Sequence, residues 1–105
     1  MKIVKINDSE IRFNNDSVIE YYHCQNCCEW NYADFESLDD IARNYDYDEN
    51  LKFEFVDGAG FRFGDDRAMF FVPCYSEQNG YYSTMIEIIY DGEIVLEGEC
   101  EEVLH

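Results

Sequence analysis

The residue types best suited to chemistry crowd into one stretch, His23-Cys24-Gln25-Asn26-Cys27-Cys28-Glu29-Trp30. Thiolate and imidazole are good zinc ligands, and Cys24 with Cys27 has the Cys-x-x-Cys spacing of half a tetrahedral site. The other half is missing, because Cys74, Cys100 and His105 stand far away and are not spaced as a pair. Adjacent residues such as Cys27 and Cys28 cannot easily turn both side chains onto one ion. A cysteine nucleophile needs a base and a group that orients the base. Cys28, His23 and either Glu29 or Asp34 supply those types, but nearby carboxylates raise a thiol pKa, which opposes thiolate formation. The competing reading makes these thiols small fillers beneath Trp30 and Tyr32, with the His23 imidazole bonded to backbone in an irregular turn. No catalytic residue and no cofactor is expected, and the spacing leaves the metal question and the role of His23, Cys27, Cys28 and Glu29 open.

A second constellation, Asp46-x-Asp48-x-Asn50, opens like a calcium loop and then departs from it. Leu51 stands where the sharp turn needs glycine, and Asp57 where a bidentate glutamate is usual. The surrounding stretch is more telling for its charge. Asp34, Glu36, Asp39, Asp40, Asp46, Asp48 and Glu49 face a lone Arg43, with Tyr45 and Tyr47 interleaved, and Glu97, Glu99, Glu101 and Glu102 form a second acidic block. Carboxylates on a rigid surface can occupy a groove built for phosphates, and tyrosines favour interfaces. The binding residues expected on this basis are Asp34, Glu36, Asp39, Asp40, Tyr45, Asp46, Tyr47, Asp48 and Glu49.

Composition supports that direction. The 105 residues carry 24 acidic against 7 basic side chains, a net charge of -17, which disfavours nucleic-acid phosphates and anionic membranes as direct partners. A basic protein surface is the expected partner, with nucleic-acid mimicry as its sharpest form. No apolar run is long enough to span a bilayer, and the N-terminus lacks the pattern of a secretory signal. Five cysteines without such a signal point to reduced thiols in the cytoplasm. The spacing does not fix an oligomeric state.

The elements that must position these groups read as one α+β domain over residues 1–105, mainly antiparallel sheet with one short helix packed on a face. Lys2–Ile6, Glu10–Phe13 and Ser17–Cys24 read as a three-strand meander, with Asn14-Asn15-Asp16 as a turn. Gln25–Phe35 has no clean period and is expected to leave the sheet. Ser37–Asn44 reads as the helix, capped by Ser37, with Leu38, Ile41 and Ala42 on one face. Leu51–Val56 and Phe61–Phe63 alternate as strands, and Arg67–Tyr75 is a strand that Pro73 marks as an edge or a bulge. Tyr81–Tyr90 and Glu93–Leu104 flank Asp91-Gly92 as a hairpin, pairing Tyr90 with Glu93, Ile88 with Val95 and Ile86 with Glu97. Apolar residues then fall on both faces, so either both faces are covered or a bulge near Gly98 resets the alternation.

His23-x-x-x-Cys27-Cys28-Glu29 followed by Asn31-Tyr32-Ala33-Asp34-Phe35 resembles a segment of small phage and bacterial domains of unknown function. The resemblance covers about residues 21 to 40 and implies no activity. It leaves Cys24 outside the shared pattern, and it implies that His23, Cys28 and Glu29 form one local arrangement.

Overall fold

The computed structural model describes residues 1–23 and 29–104. The expected motif members Cys27 and Cys28, together with Cys24 and His105, lie outside the described residues. In chain order the elements are β1 (Ile3–Ile6), β2 (Glu10–Phe13), β3 (Val18–Tyr22), β4 (Trp30–Ala33), a 3-10 turn (Phe35–Ser37) and α1 (Asp40–Asn44). Then come β5 (Lys52–Val56), β6 (Gly60–Gly64), β7 (Met69–Gln78), β8 (Met85–Tyr90), β9 (Glu93–Glu99) and β10 (Glu101–Leu104). The fold is mainly antiparallel β with little helix, and it forms two sheets where one was expected. The first has the order β1-β2-β3-β8-β9, and the second runs β10-β7-β6-β5 with β4 also paired to β7.

The inner faces of both sheets meet in one core. Ile11, Phe13, Ile19, Ile86 and Ile88 come from the first sheet, and Ala33, Phe61, Phe63, Val72 and Cys74 from the second. Alternation along each strand puts these residues on one side, which is why the β-branched and aromatic runs fold as they do. The sheets are stitched together where Gly58 N–H donates to Glu99 O (2.8 Å) and Glu99 N–H to Asp57 Oδ1 (3.2 Å). Among the described residues no helix is long and apolar enough to cross a membrane.

Several expectations are corrected. The helix is only Asp40–Asn44, and its cap is Asp39, whose side chain accepts from Ala42 N–H at 2.9 Å. Ser37 instead ends the 3-10 turn, and Leu38 is extended (φ -59°, ψ 132°). Leu38 and Ala42 are buried as expected, but Ile41 is 71% exposed, because the break at Leu38 rotates the helix away from the projected face. Gln25–Phe35 does not leave the sheet entirely, since Trp30–Ala33 forms β4. Glu93–Leu104 is two strands, and β10 crosses to the second sheet, where it runs parallel to β7.

The Asp91-Gly92 turn forms as expected, with φ of 50° and 83° at its two residues. Tyr90 pairs with Glu93, but Ile88 pairs with Leu96 and Ile86 with Gly98, so the bulge falls at Val95. Gly98 has a different duty: a Cβ there would lie 2.2 Å from the Phe55 ring. Pro73 is not at an edge. It sits inside β7 opposite Gly60, and a Cβ at Gly60 would meet Val72 O at 2.2 Å, so only glycine lets the two backbones approach.

Candidate functional site

The acidic stretch between β4 and β5 is held by its apolar and aromatic members. Phe35 is fully buried, and Tyr47 is buried against Phe63, with ring centroids 5.4 Å apart, and edge-on to Phe13 at 5.6 Å. Its hydroxyl donates to Ala42 O at 2.7 Å. Tyr47 N–H donates to Met1 O (2.7 Å), and the terminal ammonium donates to Tyr47 O (2.5 Å) and Asp46 Oδ1 (3.1 Å). Tyr47, expected at an interface, is therefore a core residue, and burial pushes its phenol well above the ordinary tyrosine value. Tyr45 is half-buried, not free at the surface.

With the backbone anchored in this way, Glu36, Asp39, Asp40, Asp46, Asp48 and Glu49 are exposed, and Asp34 is partly so. Arg43 lies among them but turns back on the chain, donating to Leu38 O (2.7 Å) and Glu36 O (2.8 Å). Asp48 Oδ1 accepts from Asn50 N–H at 2.9 Å, while Asp46 holds the N-terminus, so the calcium-like trio does not converge. Among the described residues no group of three or more histidine, cysteine or acidic side chains is placed to hold a metal ion.

Beside this stretch stands a carboxylate that sequence reasoning missed. Asp65 is buried and accepts from Tyr45 Oη (2.9 Å), Asp48 N–H (3.1 Å), Arg67 N–H (2.9 Å), Ala68 N–H (3.2 Å) and Arg67 Nη2 (3.0 Å). Burial alone would raise its pKa. The donors from Arg67, Asp48 and Tyr45 outweigh that and hold the carboxyl well below the usual range. Arg67 also lies over the Tyr45 ring, 5.1 Å from its centroid. Locally Asp65 is a turn device, since its side chain accepts from the second and third following N–H groups. Its long-range partners Tyr45 and Asp48 leave no such signal in the sequence.

His23 and Glu29 sit at the other end. His23 follows β3, half-buried, and Glu29 is buried just before β4. Burial lowers the His23 pKa, and the Glu29 charge acts against that shift. Both line a cavity of about 400 Å³ shared with Asn31, Glu87 and Glu97. Beneath it runs a buried polar chain. Gln78 Nε2 donates to Ser76 Oγ (2.6 Å), Ser76 Oγ to Asn31 Oδ1 (2.5 Å), and Asn31 Nδ2 to the carbonyls of Ser83 and Met85 (3.0 Å each). These bonds tie the second sheet to the start of β8. Cys74 and Cys100 are buried free thiols, and the hydrogen bond between them together with burial pushes the Cys74 thiol far up, away from reactivity.

The chain matches no protein-family model, no curated protein and no solved structure among those compared with it.

Proposed function

We propose that the protein is a non-enzymatic interaction module whose acidic surface binds a basic protein. One observation carries this reading: Glu36, Asp39, Asp40, Asp48 and Glu49 are all exposed, and no ion pair reaches any of them among the described residues. The one cation of the stretch, Arg43, is held to backbone carbonyls. The buried Tyr47 and the Asp65 hub fix the backbone that carries these acids, so little ordering entropy is lost when a partner docks. Complementary charge would govern the rate of encounter and the choice of partner. The setting proposed is the reducing cytoplasm, where thiols such as Cys74 and Cys100 stay free.

The test compares two variants of equal charge. One neutralises Glu36, Asp40, Asp48 and Glu49 to their amides, and the other does the same to Glu93, Glu97, Glu99 and Glu102. Titration with an oligo-lysine peptide should show the first weakening binding about tenfold, from four surface contacts of some tenths of a kcal/mol each. The second should change it less than about threefold. Equal losses would mean that net charge alone attracts the peptide, and the reading would fail. Affinity must also drop steeply towards ~0.5 M salt, where exposed charges are screened. In the stronger form, mimicry of nucleic acid, DNA must displace the protein from a basic DNA-binding partner.

A further inference from the structure

The outer face of the second sheet carries an aromatic ladder that the acidic stretch does not use. On β4, Trp30 and Tyr32 project to the same side, their rings 4.4 Å apart, and Tyr75 of β7 lies 5.8 Å from Tyr32. Trp30 is 52% exposed. The register sets Glu77 opposite Trp30, and Tyr75 opposite Tyr32. On the far side of β7, Glu101 of β10 stands beside Tyr75. Residues level with one another on neighbouring strands share a face, so the rings and these two carboxylates form one patch. Asp34 follows at the end of β4, and both Glu77 and Asp34 act on the Tyr32 phenol, whose pKa is raised by burial first and then by these charges.

The alternation here is inverted. Asn31, Ser76 and Gln78 point inward and are buried, while Trp30, Tyr32 and Tyr75 point outward. Burying amides while Trp30 stands half in water and Tyr32 and Tyr75 are only partly covered is the reverse of what a sheet needs for stability alone. The molecule also shows what such a set of groups binds. At Tyr45, a guanidinium lies over a ring while its Nη2 reaches a carboxylate: Arg67 over Tyr45 and onto Asp65. The outer face repeats ring and carboxylate but lacks the guanidinium. Arg12 and Arg62 are paired with Glu10 and Glu54, and Arg43 and Arg67 are held as described. Among the described residues Arg67 is the one cation placed over a ring.

We infer that the Trp30–Tyr32–Tyr75 ladder, with Glu101 and Asp34 beside it, is a docking face for an arginine-bearing segment of a basic partner. The inference rests on the proposed interaction module and adds where one contact is made and with which side chain. Arginine is favoured over lysine because a planar guanidinium can stack on a ring and bond a carboxylate edge-on at once, whereas an ammonium is a compact, strongly hydrated charge.

Trp30 is the only tryptophan, so its emission reports on this face directly. The probes are an oligo-arginine and an oligo-lysine peptide of equal length, titrated at physiological salt. Oligo-arginine should bind about fivefold more tightly and produce a saturable change in Trp30 emission. Trp30→Leu should abolish the preference, read by anisotropy of labelled peptide, while Tyr81→Ala, at an exposed tyrosine outside the ladder, should leave it unchanged. Equal affinities, an unmoved Trp30 signal, or a preference that survives Trp30→Leu would overturn the docking face and leave the interaction module standing. Binding of neither peptide would overturn both. The wild-type emission decides the matter even if Trp30→Leu fails to fold.

Discussion

Two regions of this molecule use the same side-chain types to opposite ends. Around Tyr45, Tyr47 and Asp65, rings, carboxylate and arginine meet one another, and the terminal ammonium and several backbone N–H groups complete the set. Around Trp30, Tyr32 and Tyr75, rings and carboxylates lie on an outer face with no arginine of their own chain over them among the described residues. The first region is closed and holds the fold, because every buried polar atom that finds a partner avoids a desolvation penalty. The second is open in that no arginine of the chain lies over its rings among the described residues; on the inference above, a partner would supply one. On that inference, stability and recognition would differ not in residue type but in whether the chain itself supplies the complementary cation.

The comparison breaks first at Tyr47. Tyr47→Ala should destabilise the protein by about 3–5 kcal/mol, the usual loss for a buried aromatic, measured by urea unfolding. A loss under about 1 kcal/mol would show that the closed region does not anchor the acidic stretch. Next comes Asp65→Asn, which removes the charge that Arg67 and Tyr45 meet and should lower the unfolding midpoint clearly. Its pH signature is specific. The folded carboxyl titrates below its ordinary value of 3.8. The stability it contributes is therefore present above that pH and is lost as pH falls below it. Wild type and Asp65→Asn should thus converge in stability under acid, and a constant gap between neutral and acidic pH would contradict the hub.

A smaller effect sharpens the contrast. Tyr47→Phe keeps the ring and removes only the bond to Ala42 O, so about 1 kcal/mol should be lost. Trp30→Leu should change stability least, by no more than about 1 kcal/mol, since the ring is half in water and mainly gives up its contact with Tyr32. If Trp30→Leu proved as damaging as Tyr47→Ala, the outer face would be structural, and the division into a closed and an open region would fall.

Much of the sheet was legible along the chain. Phe53 and Phe55, Phe61 and Phe63, and Ile86 and Ile88 alternate as strands must, and Asp91-Gly92 marks its turn because both residues need positive φ. β4 was not legible, because its alternation is reversed, with Asn31 inward and Trp30 outward. Ser76 and the carbonyls of Ser83 and Met85, all distant in sequence, make a buried Asn31 tolerable. The break of the helix at Leu38 was hidden for a similar reason. Leu38 is buried in an extended conformation, which leaves the same apolar spacing as a helical one.

The candidate surface divides in the same way. That the chain is strongly acidic, that carboxylates crowd residues 34 to 49, and that aromatics abound follow from composition and order alone. Which tyrosine is fully buried and which only half-buried does not follow, since Tyr45 and Tyr47 both stand among acidic and amide neighbours and differ in what folds against them. Nor could the order of residues show that Asp65 would gather Tyr45, Asp48 and Arg67, or that β10 would cross to lie beside β7 and bring Glu101 to Tyr75. Charge and alternation are properties of the chain read locally. Pairing, register and burial depend on contacts between residues far apart in sequence, and those contacts exist only in the folded protein.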